Sequence, residues 1–325
     1  MSRHSPVLVG IGVLALLAYP WVFRSNYAIN VGFLVLFTAY LGQTWNIAGG
    51  FAGQTSFGHV VFFGVGAYVS TVLHVTYGVN PWLAWPISAL AGAAVGWLLA
   101  VLSFRAGLKG SYFALITLAV AEVGRIVANS VPITKAGLGI LIRADPRAAN
   151  FQFREPVWFY YVALALWLLA MAVAWRLTRT RFGARLAAIR ENEDAAQALG
   201  IDAFREKVKC LTLSGGLCGA GGTVYAQKYL YIDPSIAFGV DKSVEMLLVS
   251  MIGGAGTVLG PLIGSGVLHF IAELTRDLGN MLPGVRNAQP LSIIVYGAIL
   301  IAIVAWLPDG LTGLFRRRKT GDGRA

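Results

Sequence analysis

Charge is what this chain has least of. Only 13% of its 325 residues are charged, about half the share found in a soluble domain, whereas 57% are hydrophobic and the mean hydropathy is +0.67. So little charge excludes a surface that faces water over most of its area. Cysteine is nearly absent too: Cys210 and Cys218 are the only two, eight residues apart in one apolar run. They support neither a disulfide framework nor a thiolate metal site, and read as small core residues. Four histidines, none in an HExxH pair, give no zinc-hydrolase signature, and there is no GxxxxGK(S/T) loop to hold a nucleotide. Ser56 and His59 are neighbours on one short turn with no strained serine elbow beside them, so they make no hydrolase. No metal and no cofactor is expected, and the chain is not expected to be an enzyme.

Positive charge, by contrast, is in excess, with a net +11. It sits in loops and at the C-terminus rather than in a basic stripe interleaved with aromatics, which argues against nucleic acid as a partner and for signals of membrane orientation. Ten apolar segments carry the rest, at about 7–23, 29–47, 57–77, 82–104, 111–128, 157–175, 208–227, 243–255, 259–275 and 291–307, most of them close to the ~20 residues a membrane span needs. None alternates with period two, so a closed barrel is excluded. The remaining spanning architecture is an all-α, polytopic membrane helix bundle of about ten spans, read as a single domain over 1–325. The first segment is too long for a signal peptide, and no small-x-small cleavage site follows it.

Lysine and arginine test the orientation. With both termini and the 176–209 loop on the cytoplasmic side, that side holds sixteen of the 26 basic residues and the outer side nine, with Arg125 inside a span. The three densest basic stretches then share one face.

Two stretches interrupt the apolar pattern in corresponding places: GGFAGQTSFG at 49–58 and GGAGTVLGP at 253–261. From Ser243 to Thr275 there are 33 residues, about 50 Å of helix, too little for two crossings of a ~30 Å core. Glycine breaks in both halves suggest discontinuous helices related by an internal repeat; tight turns at the surface are the plainer alternative. SGGLCGAGG at 214–222 is different, with small residues three and four apart that let a second helix approach closely.

Acidic residues number only 15, yet Glu191, Glu193, Asp194 and Asp202 crowd into RENEDAAQALGID at 190–202, with Glu206 just beyond. Asn192 suits the cap of a short helix, with Glu193 and Asp194 in its first turn. Gly200 suits the left-handed residue that ends it, with Ile201 making the hydrophobic contact that follows. The segment reads as a short, charged, self-terminating helix with little of its own chain to pack on. Ala195, Ala196, Leu199 and Ile201 are expected to face a groove on another, cytoplasmic protein, with Arg190, Glu191, Glu193 and Asp194 setting the register.

Here a resemblance becomes specific. Asp194-Ala195-Ala196-x-x-x-Gly200 resembles the acidic-Ala-Ala-x-x-x-Gly loop of ABC importer permeases, the coupling helix that meets the ATPase subunit. RFGARLAAIRENEDAAQALGI is similar to the equivalent loop of permeases for branched-chain amino acids of the LivM type. So are GGFAGQTSFGHVVFFGVGAY, LKGSYFALITLAVAE, MIGGAGTVLGPLIGS and LPDGLTGLF, in the same order from about Trp45 to Phe315. The chain departs from the family at Ile133–Gly139, where a Thr-Gly-Gly stretch is common.

The resemblance implies one half of a permease pair in the bacterial inner membrane, surrounded by lipid. A second permease subunit, two cytoplasmic ATP-binding subunits and a periplasmic solute-binding protein complete it, and ATP is hydrolysed by those partners. It also places Gly53, Gln54, Ser56, Gly58 and His59, with Gly254, Gly256 and Gly260, near an alternating-access path, where Gln54 and Ser56 offer polar contacts to a zwitterion. Each of these could equally be a helix-packing group. The competing function is a stand-alone secondary transporter or channel for a small polar solute such as urea or an amide.

Three further features are weighed. Glu122 and Arg125, three apart, share a helix face and read as a mutual ion pair, with a functional intramembrane site as the alternative. His269 and Glu273, four apart, read as an interfacial pair. The outer loop at 129–156 reads as a docking surface for the binding protein or as a lid on its own bundle.

Overall fold

The computed structural model describes residues 5–281, 297, 298, 301 and 310–313, with side chains placed for 10–275 and the later isolated positions. Twelve α-helices and one two-residue strand pair make up the described chain. Helices α1 (Ser5–Val22), α2 (Asn26–Asn46), α3 (Val60–Val75), α4 (Pro81–Arg105), α5 (Gly110–Ser130) and α6 (Pro156–Leu177) form the first half. Two short helices, α7 (Arg181–Glu191) and α8 (Glu193–Ala198), lead into α9 (Ala203–Tyr229), α10 (Pro234–Phe238), α11 (Val240–Gly253) and α12 (Gly260–Met281). Nine expected spans fall in order on α1–α6, α9, α11 and α12; the tenth, at 291–307, lies largely outside the described residues, as does most of LPDGLTGLF. Among the described residues four helices are long and apolar enough to cross a membrane, counting α2 together with the turn that extends it to Phe51, and then α4, α5 and α6.

Local chemistry sets the ends. Asn80 accepts from the Trp82 amide at 2.9 Å and Pro81 occupies the first turn, so α4 starts there. Asp202 caps α9 through the Arg205 amide at 3.0 Å, and Asp233 caps α10 through that of Ile236 at 2.8 Å.

Helix α2 runs through the centre of the bundle. Phe33, Leu36, Tyr40 and Trp45 are fully buried there, alongside Tyr160 and Trp167 of α6. The 214–222 small-residue stripe does what its spacing suggests. A Cβ on Gly215 would come within 2.6 Å of the Gly92 carbonyl, and one on Gly219 within 2.8 Å of that of Ser88. Next to them, a Cβ on Gly222 would overlap the Phe63 carbonyl. Backbones of α4 and α3 therefore lie directly on α9, a closeness only glycine permits. Cys210 and Cys218 are buried and free.

The loops sort onto two faces. On one, Ile140–Leu141 (β1) pairs antiparallel with Tyr231–Ile232 (β2), and Asn80 and Trp82 donate to the carbonyls of Ala149 and Ala148. On the other, Lys109 from the α4–α5 turn reaches Asp194 at 2.9 Å. The 105–110 turn and the 176–209 loop thus share a side, as the basic-residue count requires.

Candidate functional site

The site is built from α8 upward. Asn192 Oδ1 accepts from the Ala195 amide at 3.0 Å. At the other end Gly200 has φ +83°, its amide donates to Gln197 at 2.9 Å, and the Ile201 amide donates to Ala196 at 3.1 Å. Those two bonds form a Schellman motif, so the helix is closed at both ends by its own residues.

One expectation is corrected. The helix does pack on its own chain: Ala196 is buried with Ile189 and Ala203, and Ala188 and Ile201 close the cluster. Of the four apolar residues expected to face a partner, Ala195 and Leu199 remain outward, Leu199 with 83% of its surface exposed. The carboxylates are also held by their own chain. Glu193 accepts from Lys207 Nζ at 2.7 Å and lies 3.8 Å from Lys109; Asp194 takes Lys109 at 2.9 Å. The hydrogen bond that Lys109 donates to Asp194, with Glu193 beside it, raises the Lys109 pKa above its ordinary value. Lys207 is itself buried, with Nζ 4.5 Å from the Phe104 ring centre. Glu206 pairs with Arg185 at 3.0 Å and Lys209 at 3.4 Å. Lys109 and Lys207 carry no motif; only their inner-loop placement connects them to the acidic cluster beforehand.

The two glycine breaks meet one another. Helix α2 ends in one π-helical turn, Ile47–Phe51, and the chain then crosses to α3. Asn46 Nδ2 donates to the Thr257 carbonyl at 2.9 Å, and Asn46 Oδ1 accepts from the Gly256 amide at 2.7 Å. Arg190, in the last turn of α7, donates through Nη1 to the Gly50 carbonyl at 2.8 Å. Gly53, Gly254 and Gly256 adopt φ values of +68°, +115° and +76°, which favour glycine. Backbone freed from helix geometry is thereby paired with side chains, as a low-dielectric environment demands. With 16 and 14 residues, α3 and α11 are about 24 and 21 Å long, short of a ~30 Å core. Gly310 sits against the Gly254 amide, so the C-terminal motif also reaches this point.

The other expected path residues separate into two groups. Gly53, Gln54 and Gly256 are half-buried; Ser56, Gly58, His59, Gly254 and Gly260 are buried inside the chain. Trp45 Nε1 donates to the Ser56 carbonyl at 2.7 Å, and a Cβ on Gly58 would overlap the Thr117 carbonyl. Ser214 Oγ lies 2.6 Å from the Thr44 carbonyl and 2.8 Å from His59 Nε2. The single hydroxyl proton goes to Thr44, so His59 donates from Nε2 and keeps Nδ1 as a bare acceptor. Among the described residues, neither Ser56 Oγ nor His59 Nδ1 has a partner. Beside the first break lies an open groove of about 440 Å³, lined by Thr55, Phe57, Ser111, Ala114, Leu115 and Leu118; apolar residues hid it from sequence reasoning.

Glu122 and Arg125 form a bidentate pair at 2.9 and 2.5 Å on the partly exposed face of α5. His269 Nδ1 bonds the Ser265 carbonyl at 3.0 Å, and Glu273 accepts from Tyr27 at 2.5 Å. The 129–156 loop is anchored to the bundle through buried Ile140, Ile142 and Phe151, and Leu138 and Leu141 stay exposed.

Broken helices that satisfy each other's backbone beneath a self-capped polar helix define a helical membrane permease. The chain belongs to the family described as branched-chain amino acid transport system / permease component, which it matches over residues 27–304. It is 29% identical over 328 aligned residues to the high-affinity branched-chain amino acid transport system permease protein LivM of Escherichia coli (strain K12), covering 93% of this chain and 74% of that protein. The LivM protein of Salmonella typhimurium is 28% identical with the same coverage. The autoinducer 2 import system permease protein LsrC of Salmonella paratyphi B is 25% identical over 50% of this chain and 42% of its own length. No solved structure matches the chain.

Proposed function

We propose that the chain is a single-domain permease subunit of a binding-protein-dependent ABC importer for branched-chain or related amino acids. A second permease subunit stands beside it in the bacterial inner membrane, two ATP-binding subunits dock from the cytoplasm and hydrolyse the ATP, and a periplasmic solute-binding protein delivers the solute. Both termini are cytoplasmic. The observation that carries this reading is α8: a helix closed at both ends, clasped by Lys109 and Lys207, and showing Leu199 and Ala195 outward. A stand-alone transporter has no use for such an element. Glu191, Glu193, Asp194, Ala195, Leu199 and Gly200 form or support the docking element, Ala196 holds it to the bundle, and Arg190 turns away from it to the Gly50 carbonyl. Closure of the ATPases displaces it and re-gates a path past Gly53, Gln54 and Gly256, with Ser56, Gly58, His59, Gly254 and Gly260 shaping its wall from inside.

The test is purification of the tagged chain from its host in mild detergent, followed by mass spectrometry and uptake assays with leucine, isoleucine and valine. Recovery of two ATPase subunits and ATP-dependent uptake supports the reading. A chain that carries solute in liposomes with no ATPase present overturns it.

A further inference from the structure

We propose that Arg190 is the positioning residue that couples movement of the docking helix to both glycine breaks at once; this rests on the permease reading above. Arg190 stands two residues before the cap of α8. Its guanidinium donates from Nη1 to the Gly50 carbonyl at 2.8 Å and from Nη2 to Glu191 at 3.1 Å. The Gly50 carbonyl belongs to the π-helical turn that ends α2, where carbonyls lack ordinary helical donors and the helix dipole attracts a cation.

The slot around the side chain is made of glycine from both breaks. A Cβ on Gly53 would stand 2.7 Å from Arg190 Cγ, and one on Gly256 2.6 Å from Nη1. Gly53 comes from the first break and Gly256 from the second, and Asn46 ties the second break to α2. One rigid, planar, charged group thus fills the junction of three segments. The lysine clasp on Glu193 holds α8 to α9 and to the α4–α5 turn, but it does not touch either break. A displacement of the α7–α8 corner therefore reaches Gly50 and Gly256 through Arg190, or it ruptures a charge-assisted hydrogen bond.

The experiment uses the complete complex in proteoliposomes and reads uptake and ATP hydrolysis together. R190A is expected to retain its partner subunits and hydrolyse ATP within about twofold of wild type, while solute moved per ATP falls by about tenfold or more. R190K, which keeps one donor and the charge but not the planar fork, is expected to lie between. An assembled R190A complex with the wild-type ratio overturns the inference. So does failure of both R190A and R190K to assemble, since Arg190 would then be needed only for folding. Wild-type chain transporting without ATPases overturns the permease reading instead, and the two failures are distinguishable.

Discussion

Asn46 and Gly256, 210 residues apart, are joined by a 2.7 Å hydrogen bond from the Gly256 amide to Asn46 Oδ1. The same side chain donates to the neighbouring Thr257 carbonyl at 2.9 Å. A single buried amide thus completes the backbone of a helix break in the other half of the chain.

Removing it has a defined cost. N46A leaves one donor and one acceptor unpaired and is expected to destabilise the chain by about 2–4 kcal/mol. N46D keeps the acceptor and should fall between. Unfolding in detergent by scanning fluorimetry ranks the three; equal midpoints for N46A and wild type would show that the breaks do not depend on each other.

The tip of α8 separates docking from folding. Leu199 is 83% exposed, so L199D should leave the unfolding midpoint unchanged. Affinity for the ATPase subunits is expected to fall about tenfold or more, ~1.4 kcal/mol. Co-purification yield or surface plasmon resonance on the purified subunits reads the change.

The clasp behind α8 behaves differently. Lys207 and Glu193 are paired at 2.7 Å with Lys207 buried. K207M leaves Glu193 only its longer contact with Lys109 and is expected to cost about 3 kcal/mol. The double variant K207M/E193Q should recover much of that, as chemical denaturation of the purified chain would show.

The 129–156 loop carries a pH dependence. The hydrogen bond from Arg147 holds the Asp145 carboxyl below the usual range, with Arg143 and Asn150 adding to it. Because the folded value is the lower one, the stabilisation is present above the ordinary carboxylate value of about 4 and is lost as pH falls through the lowered one. Lys109 has the opposite sign: raised by Asp194, its contribution is present below the ordinary lysine value and is lost as pH rises through the raised one. In R147A the Asp145 midpoint, followed by carboxyl NMR, is expected to return to the usual range. An unchanged midpoint would remove Arg147 as the cause.

The helices, their order and both caps of α8 were legible because each rests on nearby residues: apolar runs, Asn192, Gly200. The glycine breaks were legible as interruptions, but not as partners. Their meeting depends on Asn46, an ordinary polar residue inside an apolar run, and on Arg190, which reads locally as one more loop cation. Long-range pairing has no local periodicity to betray it. The same holds for Lys207, whose burial follows only from the Phe104 ring above it, and for Ala196, which composition placed outward and packing turned inward.

Gly92, Gly215 and Gly219 leave no side-chain cushion between α4 and α9. Such a pair has no lubricating layer, so it cannot slide or change register without a steric clash. It serves as a fixed doubled beam, with α9 continuous from the docking-helix side to the opposite face.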